Sequence, residues 1–321
     1  MLLEVRGLKA YFDTRRGPVK AVDDISYDIA PGEIVALVGE SGCGKTVSAL
    51  SLLRLIPEPP GRISGEAWFD GKDLLKMNDK EIRSIRGRRI AVIFQEPMTS
   101  LNPVFTIGKQ LDEGMIVHKV VDKKQAGGES VRLLERVGIP GGEHRLGQYP
   151  FHFSGGMRQR VMMAMSLSCS PSLIIADEPT TSVDVTIQAQ LLELLHSLIQ
   201  HSNSAVLLIT HNLGMVAKYA NRVNVMYAGR IVEQGPIDEI FYNPKHPYTQ
   251  ALLGCVPRLD SDHRTKLTTI EGQPPDLVNR PSGCAFHPRC SYVRSECQQE
   301  WPPLKPFSED HMVACSYWEE R

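Results

Sequence analysis

Short β-type runs alternating with helical patterns from residue 2 to about residue 255 predict an α/β fold. Two further observations sharpen that expectation. Four uninterrupted apolar runs of strand length each end beside a polar group, and the composition changes after residue 255. The 321 residues, 42% of them hydrophobic, suffice for one large α/β domain over 1–255 and a small appendage over 256–321.

The first elements are expected to be antiparallel, because Ile25, Tyr27 and Ile29 alternate with polar neighbours before a turn at Pro31-Gly32. A β edge therefore precedes the central strands, which are the runs Ile34–Val38, Ile90–Phe94, Leu173–Ala176 and Ala205–Ile209. Their unbroken hydrophobicity suits strands covered on both faces. Between about residues 97 and 167 the pattern turns mainly helical, with Gly127-Gly128 and Gly141-Gly142 as breaks, so a helical subdomain is expected there. Val223–Tyr227 and Arg230–Glu233 read as a hairpin around Ala228-Gly229. Beyond it Pro274, Pro275, Pro281 and Gly283 mark a linker, and the tail that follows is expected to bury little core.

Lys+Arg 36 against Asp+Glu 37 leaves a formal charge of −1, so no global field favours nucleic acid or an anionic bilayer. The longest apolar stretches run a few residues, whereas a bilayer span takes roughly 20. The opening MLLEVRGLKAYF lacks the pattern of a secretion signal. A reducing compartment is expected, where disulfides are disfavoured.

Gly39-Glu40-Ser41-Gly42-Cys43-Gly44-Lys45-Thr46 matches the P-loop pattern and sits between the strand Ile34–Val38 and the helical run Val47, Leu50, Leu53. Glycines let consecutive backbone N–H groups turn around an anion, and the following helix adds its positive end. Lys45 is expected to reach the β- and γ-phosphates, and the Thr46 hydroxyl to ligate Mg²⁺. Cys43 occupies a variable position of the loop, where reactivity towards thiol reagents is conceivable and a catalytic role is not expected. Leu173–Ala176 delivers Asp177 and Glu178 at its C-terminal edge, where open α/β sheets bind ligands. Asp177 is the candidate for the Mg²⁺ shell and Glu178 for polarising the attacking water. His211, at the end of the run Ala205–Thr210, is the candidate contact to the γ-phosphate that orients Glu178 or water.

Ser154-Gly155-Gly156-Met157-Arg158-Gln159 closely resembles the signature sequence of ATP-binding cassette proteins, although the residue before it is Phe153 where Leu is usual. The resemblance implies a RecA-like P-loop core with an antiparallel β edge and a helical subdomain. It also implies that Ser154, Gly155 and Gly156 cap ATP held by an opposing subunit, so that catalysis needs a dimer. Gln95 looks like the family's loop glutamine that touches Mg²⁺ and senses the γ-phosphate. Ser182-Val183-Asp184 looks like the loop exchanged across the dimer, and Tyr11, with Phe12 as competitor, like the aromatic that stacks on adenine. DNA-maintenance ATPases share the signature, but they carry long coiled coils before it, and no sustained heptads separate Thr46 from Ser154 here.

Gln95–Pro103, Asp184–Gln188 and Asn243–Thr249 narrow the resemblance to the dipeptide and oligopeptide importer branch. No phosphate chemistry demands these segments. Importers for nickel, glutathione and oligosaccharides resemble the same branch. The resemblance implies a related second ATPase subunit, two membrane-spanning permease chains, a solute-binding protein, no nucleic acid, and a peripheral place on the cytoplasmic face of the inner membrane. Glu96, just after Gln95, is the foremost candidate for contact with the permeases.

Cys284, Cys290, Cys297 and Cys315 are separated by five, six and seventeen residues among prolines that keep the chain irregular. Their spacing leaves free thiols, a structural zinc or an iron–sulfur cluster open, with the tight Cys pairs of zinc sites missing. The peptide-importer ATPases that the chain resembles carry such a cysteine set, which implies a [4Fe-4S] cluster that cross-links a tail too small to fold unaided.

Overall fold

The structure, a computed structural model, describes residues 1–95, 100–180, 185–256 and 269–318. Two long antiparallel strands open the chain, β1 (Leu3–Thr14) and β2 (Gly17–Ile29). Along β2, Ile25, Tyr27 and Ile29 are buried while Asp24 and Ser26 are exposed, the alternation expected of a sheet with one covered face. β3 (Ile34–Val38), buried at every position, runs through the glycine-rich loop into α1 (Lys45–Leu52). β4 (Gly61–Phe69) and β5 (Lys72–Asp73) complete a four-stranded sheet in the order β2-β1-β4-β5.

The chain continues through α2 (Asp79–Ile85), which starts at an Asn78–Glu81 capping box, to β6 (Ile90–Ile93). Four helices follow: α3 (Ile107–Val117), α4 (Lys123–Arg136), α5 (Gly142–Leu146) and α6 (Gly155–Leu167), packed on one another as the expected helical subdomain. β7 (Leu173–Asp177) pairs in parallel with β6 and is wholly buried. After α7 (Val185–Ser202), β8 (Ala205–Thr210) and α8 (Leu213–Tyr219), the expected hairpin appears as β9 (Arg222–Tyr227) and β10 (Arg230–Pro236). Its two central residues, Ala228 and Gly229, have φ of 47° and 82°, the pair of positive values that a type I′ turn requires. α9 (Ile237–Tyr242), α10 (Pro247–Gly254), β11 (Lys305–Pro306) and β12 (Met312–Val313) complete the chain.

These elements form two compact units, one of residues 1–29, 34–76 and 208–321 and the other of 30–33 and 77–207. In the first, β3 pairs in parallel with β9, and β10 joins β9 on one side and β12 on the other. Among the described residues no helix is long and apolar enough to cross a membrane.

Two expectations need correction. Gly127-Gly128 does not break a helix but lies inside α4, whose Ala126, Ser130, Leu133 and Leu134 form a buried stripe at helical spacing. Burial of that stripe outweighs a glycine cost of roughly 0.5–1 kcal/mol each. Gly141 does mark a boundary, with φ of 71° at the N-cap of α5. The tail also buries more than its composition suggests. Phe286 is 2% exposed, packed against Tyr227 and Tyr248 at ring distances of 5.3 and 5.4 Å, and β12 and β11 extend the sheet beyond β10.

Candidate active site

The loop between β3 and α1 is shaped by backbone contacts that only glycine permits. Gly39 has φ of 150°, and a Cβ there would stand 2.2 Å from the Met226 carbonyl oxygen. Gly44, the N-cap of α1, has φ of 104°, and its Cβ would stand 2.1 Å from the Ala21 carbonyl oxygen. Any side chain would push β2 or β9 away and open the loop. The start of α1 thus presents helix-end N–H groups to an anion. Lys45, 6% exposed, donates from Nζ to the carbonyls of Gly39 at 2.8 Å and Glu40 at 3.0 Å. Thr46 follows it on the exposed side of the helix start. Gly229 at the hairpin tip donates its N–H to the Cys43 carbonyl at 2.9 Å. The Cys43 side chain is 5% exposed, and burial pushes its thiol above the ordinary range against the pull of Lys45. That makes it a poor nucleophile, so the reactivity envisaged from the sequence does not follow.

Tyr11 lies part-exposed on β1 and donates its hydroxyl proton to Asp23. Phe12 is exposed to a similar degree, so burial does not separate the two candidates, but only Tyr11 is tethered. Asp23 is also paired with Arg230 at 2.9 Å and with Arg280, from the tail, at 2.8 Å. Burial followed by the Asp23 bond pushes the Tyr11 hydroxyl up to about 12. Burial works to raise Asp23, yet the Tyr11 hydrogen bond and the two arginines hold its carboxyl below the ordinary range.

In the other unit, β7 ends at Asp177, 5% exposed, and the next residue, Glu178, has φ of 44°. A non-glycine residue in the left-handed region is strained by about 1–3 kcal/mol and is characteristic of functional sites. Gln95, two residues past β6, donates from Nε2 to Glu178 Oε2 at 2.9 Å. The parallel pairing of β6 with β7 sets the two side by side, although 83 residues separate them. Ser154 is the N-cap of α6 and accepts the Met157 N–H at 3.3 Å, and Ser154 and Gly155 are exposed at the helix start while Gly156 is partly so. Phe153 is 2% exposed, so the departure from Leu is accommodated in the core. His211 lies in the first unit, exposed immediately after β8. Ser182, Val183, Asp184 and Glu96 to Thr99 lie outside the described residues.

Sequence reasoning missed the groups that brace the loop from behind. The Glu40 N–H donates to the Tyr248 hydroxyl at 2.8 Å, so the segment 243–249, read as a lineage mark without chemical duty, touches the phosphate loop. Arg289 holds the Glu40 carboxylate at 2.7 Å. Only the fold brings residues so far apart in sequence together.

Cys284, Cys290, Cys297 and Cys315 line one small, partly open pocket with His246, Phe286, Glu300 and Pro302. The Tyr292 N–H points to Cys290 Sγ at 3.4 Å. Burial pushes the Cys284 thiol up to about 11, with Cys315, Cys290 and Cys297 adding to the rise. Among the described residues no group of three or more His, Cys, Asp or Glu is set to hold a metal ion.

A glycine loop wedged between a parallel strand and a helix start, with a lysine folded over it, is the construction of P-loop nucleoside triphosphatases. A family model described as ABC transporter matches residues 22–181, and one described as Oligopeptide/dipeptide transporter, C-terminal region, matches 232–297. The Oligopeptide transport ATP-binding protein OppD of Bacillus subtilis (strain 168) is 50% identical over 97% of this chain and 87% of its own length. The Dipeptide transport ATP-binding protein DppD of the same organism is 48% identical over 100% and 96%. A solved dimer of the ATP-binding cassette MJ0796, in a post-hydrolysis state bound to ADP and Pi, shares the fold at TM-score 0.65, with 21% identity over 73% of this chain and 98% of that one. This chain belongs to the ABC transporter family, as an ATPase with the oligopeptide/dipeptide C-terminal region.

Proposed function

We propose that this chain is the ATP-hydrolysing subunit of an importer of short peptides, and that its residues act as follows. Backbone N–H groups of residues 39–47 and the Lys45 ammonium bind the β- and γ-phosphates, while Tyr11 stacks on adenine. Thr46, Asp177 and Gln95 supply the oxygen donors that suit Mg²⁺, an ion that neutralises phosphate charge when bound. Glu178 polarises the attacking water and His211 orients it at the γ-phosphate. The exposed helix start at Ser154, Gly155 and Gly156 caps ATP on an opposing ATPase subunit, so ATP closes a dimer and hydrolysis releases it. That cycle moves two permease chains fed by a solute-binding protein, with this subunit on the cytoplasmic face of the inner membrane.

The observation that carries the hydrolytic reading is the Gln95–Glu178 pair at the end of parallel strands, on a strained Glu178 backbone. Peptide as the solute is supported by the C-terminal region and by the names of the relatives. Glu178→Gln should retain ATP binding and lose turnover by at least about 10²-fold. Near-normal hydrolysis in that variant sinks the assignment. Uptake of labelled peptides by the assembled complex, against nickel, glutathione and oligosaccharide, tests the solute.

For the tail we propose a [4Fe-4S] cluster on Cys284, Cys290, Cys297 and Cys315. It is supported by four sulfur donors around a single pocket. The cluster would supply cross-links that convert binding free energy into folding free energy.

A further inference from the structure

The tail touches the phosphate loop through Arg289. Arg289 donates from Nη1 to Glu40 Oε2 at 2.7 Å and from Nη2 to Glu40 Oε1 at 2.9 Å, a bidentate pair. The arginine side chain is 4% exposed and the glutamate 24%. The remaining donor capacity of the guanidinium goes to the carbonyls of Glu271 at 2.9 Å and Ile270 at 3.3 Å and to the Tyr227 hydroxyl at 3.3 Å, so its plane is fixed. Glu40 is thus held by its side chain, and its N–H is held by Tyr248. Its carbonyl in turn accepts Lys45 Nζ at 3.0 Å.

We propose that Arg289 is a positioning residue for ATP binding, fixing Glu40 and, through the Glu40 carbonyl, the Lys45 ammonium. This rests on the reading of residues 39–47 as the ATP phosphate cradle. Two consequences of losing Arg289 add up. The loop loses its brace, and the Glu40 carboxylate is left uncompensated near the place where a triphosphate carries its negative charge. Both act on the loop that holds the phosphates, so they weaken binding of ATP rather than the hydrolytic step.

The test is the ATP dependence of hydrolysis by the assembled transporter carrying Arg289→Met, Arg289→Lys, Glu40→Gln or the pair Arg289→Met with Glu40→Gln. Arg289→Met should raise KM for ATP about tenfold, with kcat changed by less than about twofold. Arg289→Lys, which keeps the charge but not the fork, should fall between parent and Arg289→Met and guards against a variant that fails to fold. Adding Glu40→Gln to Arg289→Met should recover part of the loss by removing the uncompensated charge. The proposal is overturned by a parental KM in Arg289→Met, by a fall in kcat at constant KM, or by losses that multiply in the double variant. A parent protein that neither binds nor hydrolyses ATP overturns the reading of the cradle instead.

Discussion

Asp23 joins three parts of the chain through one side chain, because it accepts from Tyr11 and pairs with Arg230 and Arg280 while 5% exposed. Its carboxyl is held below the ordinary 3.8, so ionised Asp23 stabilises the fold above that pH, and the contribution is lost as pH falls through the lower folded value. Asp23→Asn should therefore cost about 3 kcal/mol at pH 7, where it strands Arg280, itself 11% exposed. The gap between variant and parent should narrow below pH 3.8. Urea unfolding from pH 7 down to the lowest pH at which both stay folded measures it, and a gap independent of pH contradicts the ion-pair account. Tyr11 was legible in the sequence as an early aromatic. Its anchor was not, since Asp23, Arg230 and Arg280 carry no local pattern and meet only because β2, the β9–β10 hairpin and the tail converge.

Among the elements, α4 separates local propensity from packing. Gly127 and Gly128 sit on its open side, where an added Cβ meets nothing within 4 Å, and neither has positive φ. Gly127→Ala and Gly128→Ala should each stabilise by about 0.5–1 kcal/mol, read as a higher urea midpoint, since alanine restricts the unfolded chain without strain in the helix. A lowered midpoint contradicts the helical placement. The strands show the opposite relation, with sequence and structure agreeing to within a residue for β3, β6, β7 and β8. A short apolar run bounded by turn and polar residues is settled as a strand by its length, whereas a glycine pair in a polar stretch reads equally well as a break or as the outer face of a helix.

Across the whole molecule the tail is the least predictable part, because its energy comes from distant partners. Phe286 packs against both Tyr227 and Tyr248, Val313 and Ala314 are buried, and His311 donates to or accepts from Glu233 at 2.8 Å with both side chains fully buried. Protein purified without oxygen should carry about four irons and four sulfides per chain, with loss of both on Cys290→Ser or Cys315→Ser. One zinc per chain, or no metal, removes the cluster and leaves the tail held by these packed groups alone.

The sequence by itself determined the α/β class, the phosphate loop, the Asp177–Glu178 strand end and the signature at Ser154. Each is a contiguous pattern whose backbone chemistry works locally: glycines that turn, a strand that ends, a helix that begins. Only the tertiary structure decided which groups hold those patterns in place. Gln95 on Glu178, Tyr248 and Arg289 on Glu40, and the arginines on Asp23 are pairings across long stretches of chain. Hydrogen bonds and ion pairs of this kind depend on distance in space, and a single sequence records only distance along the chain.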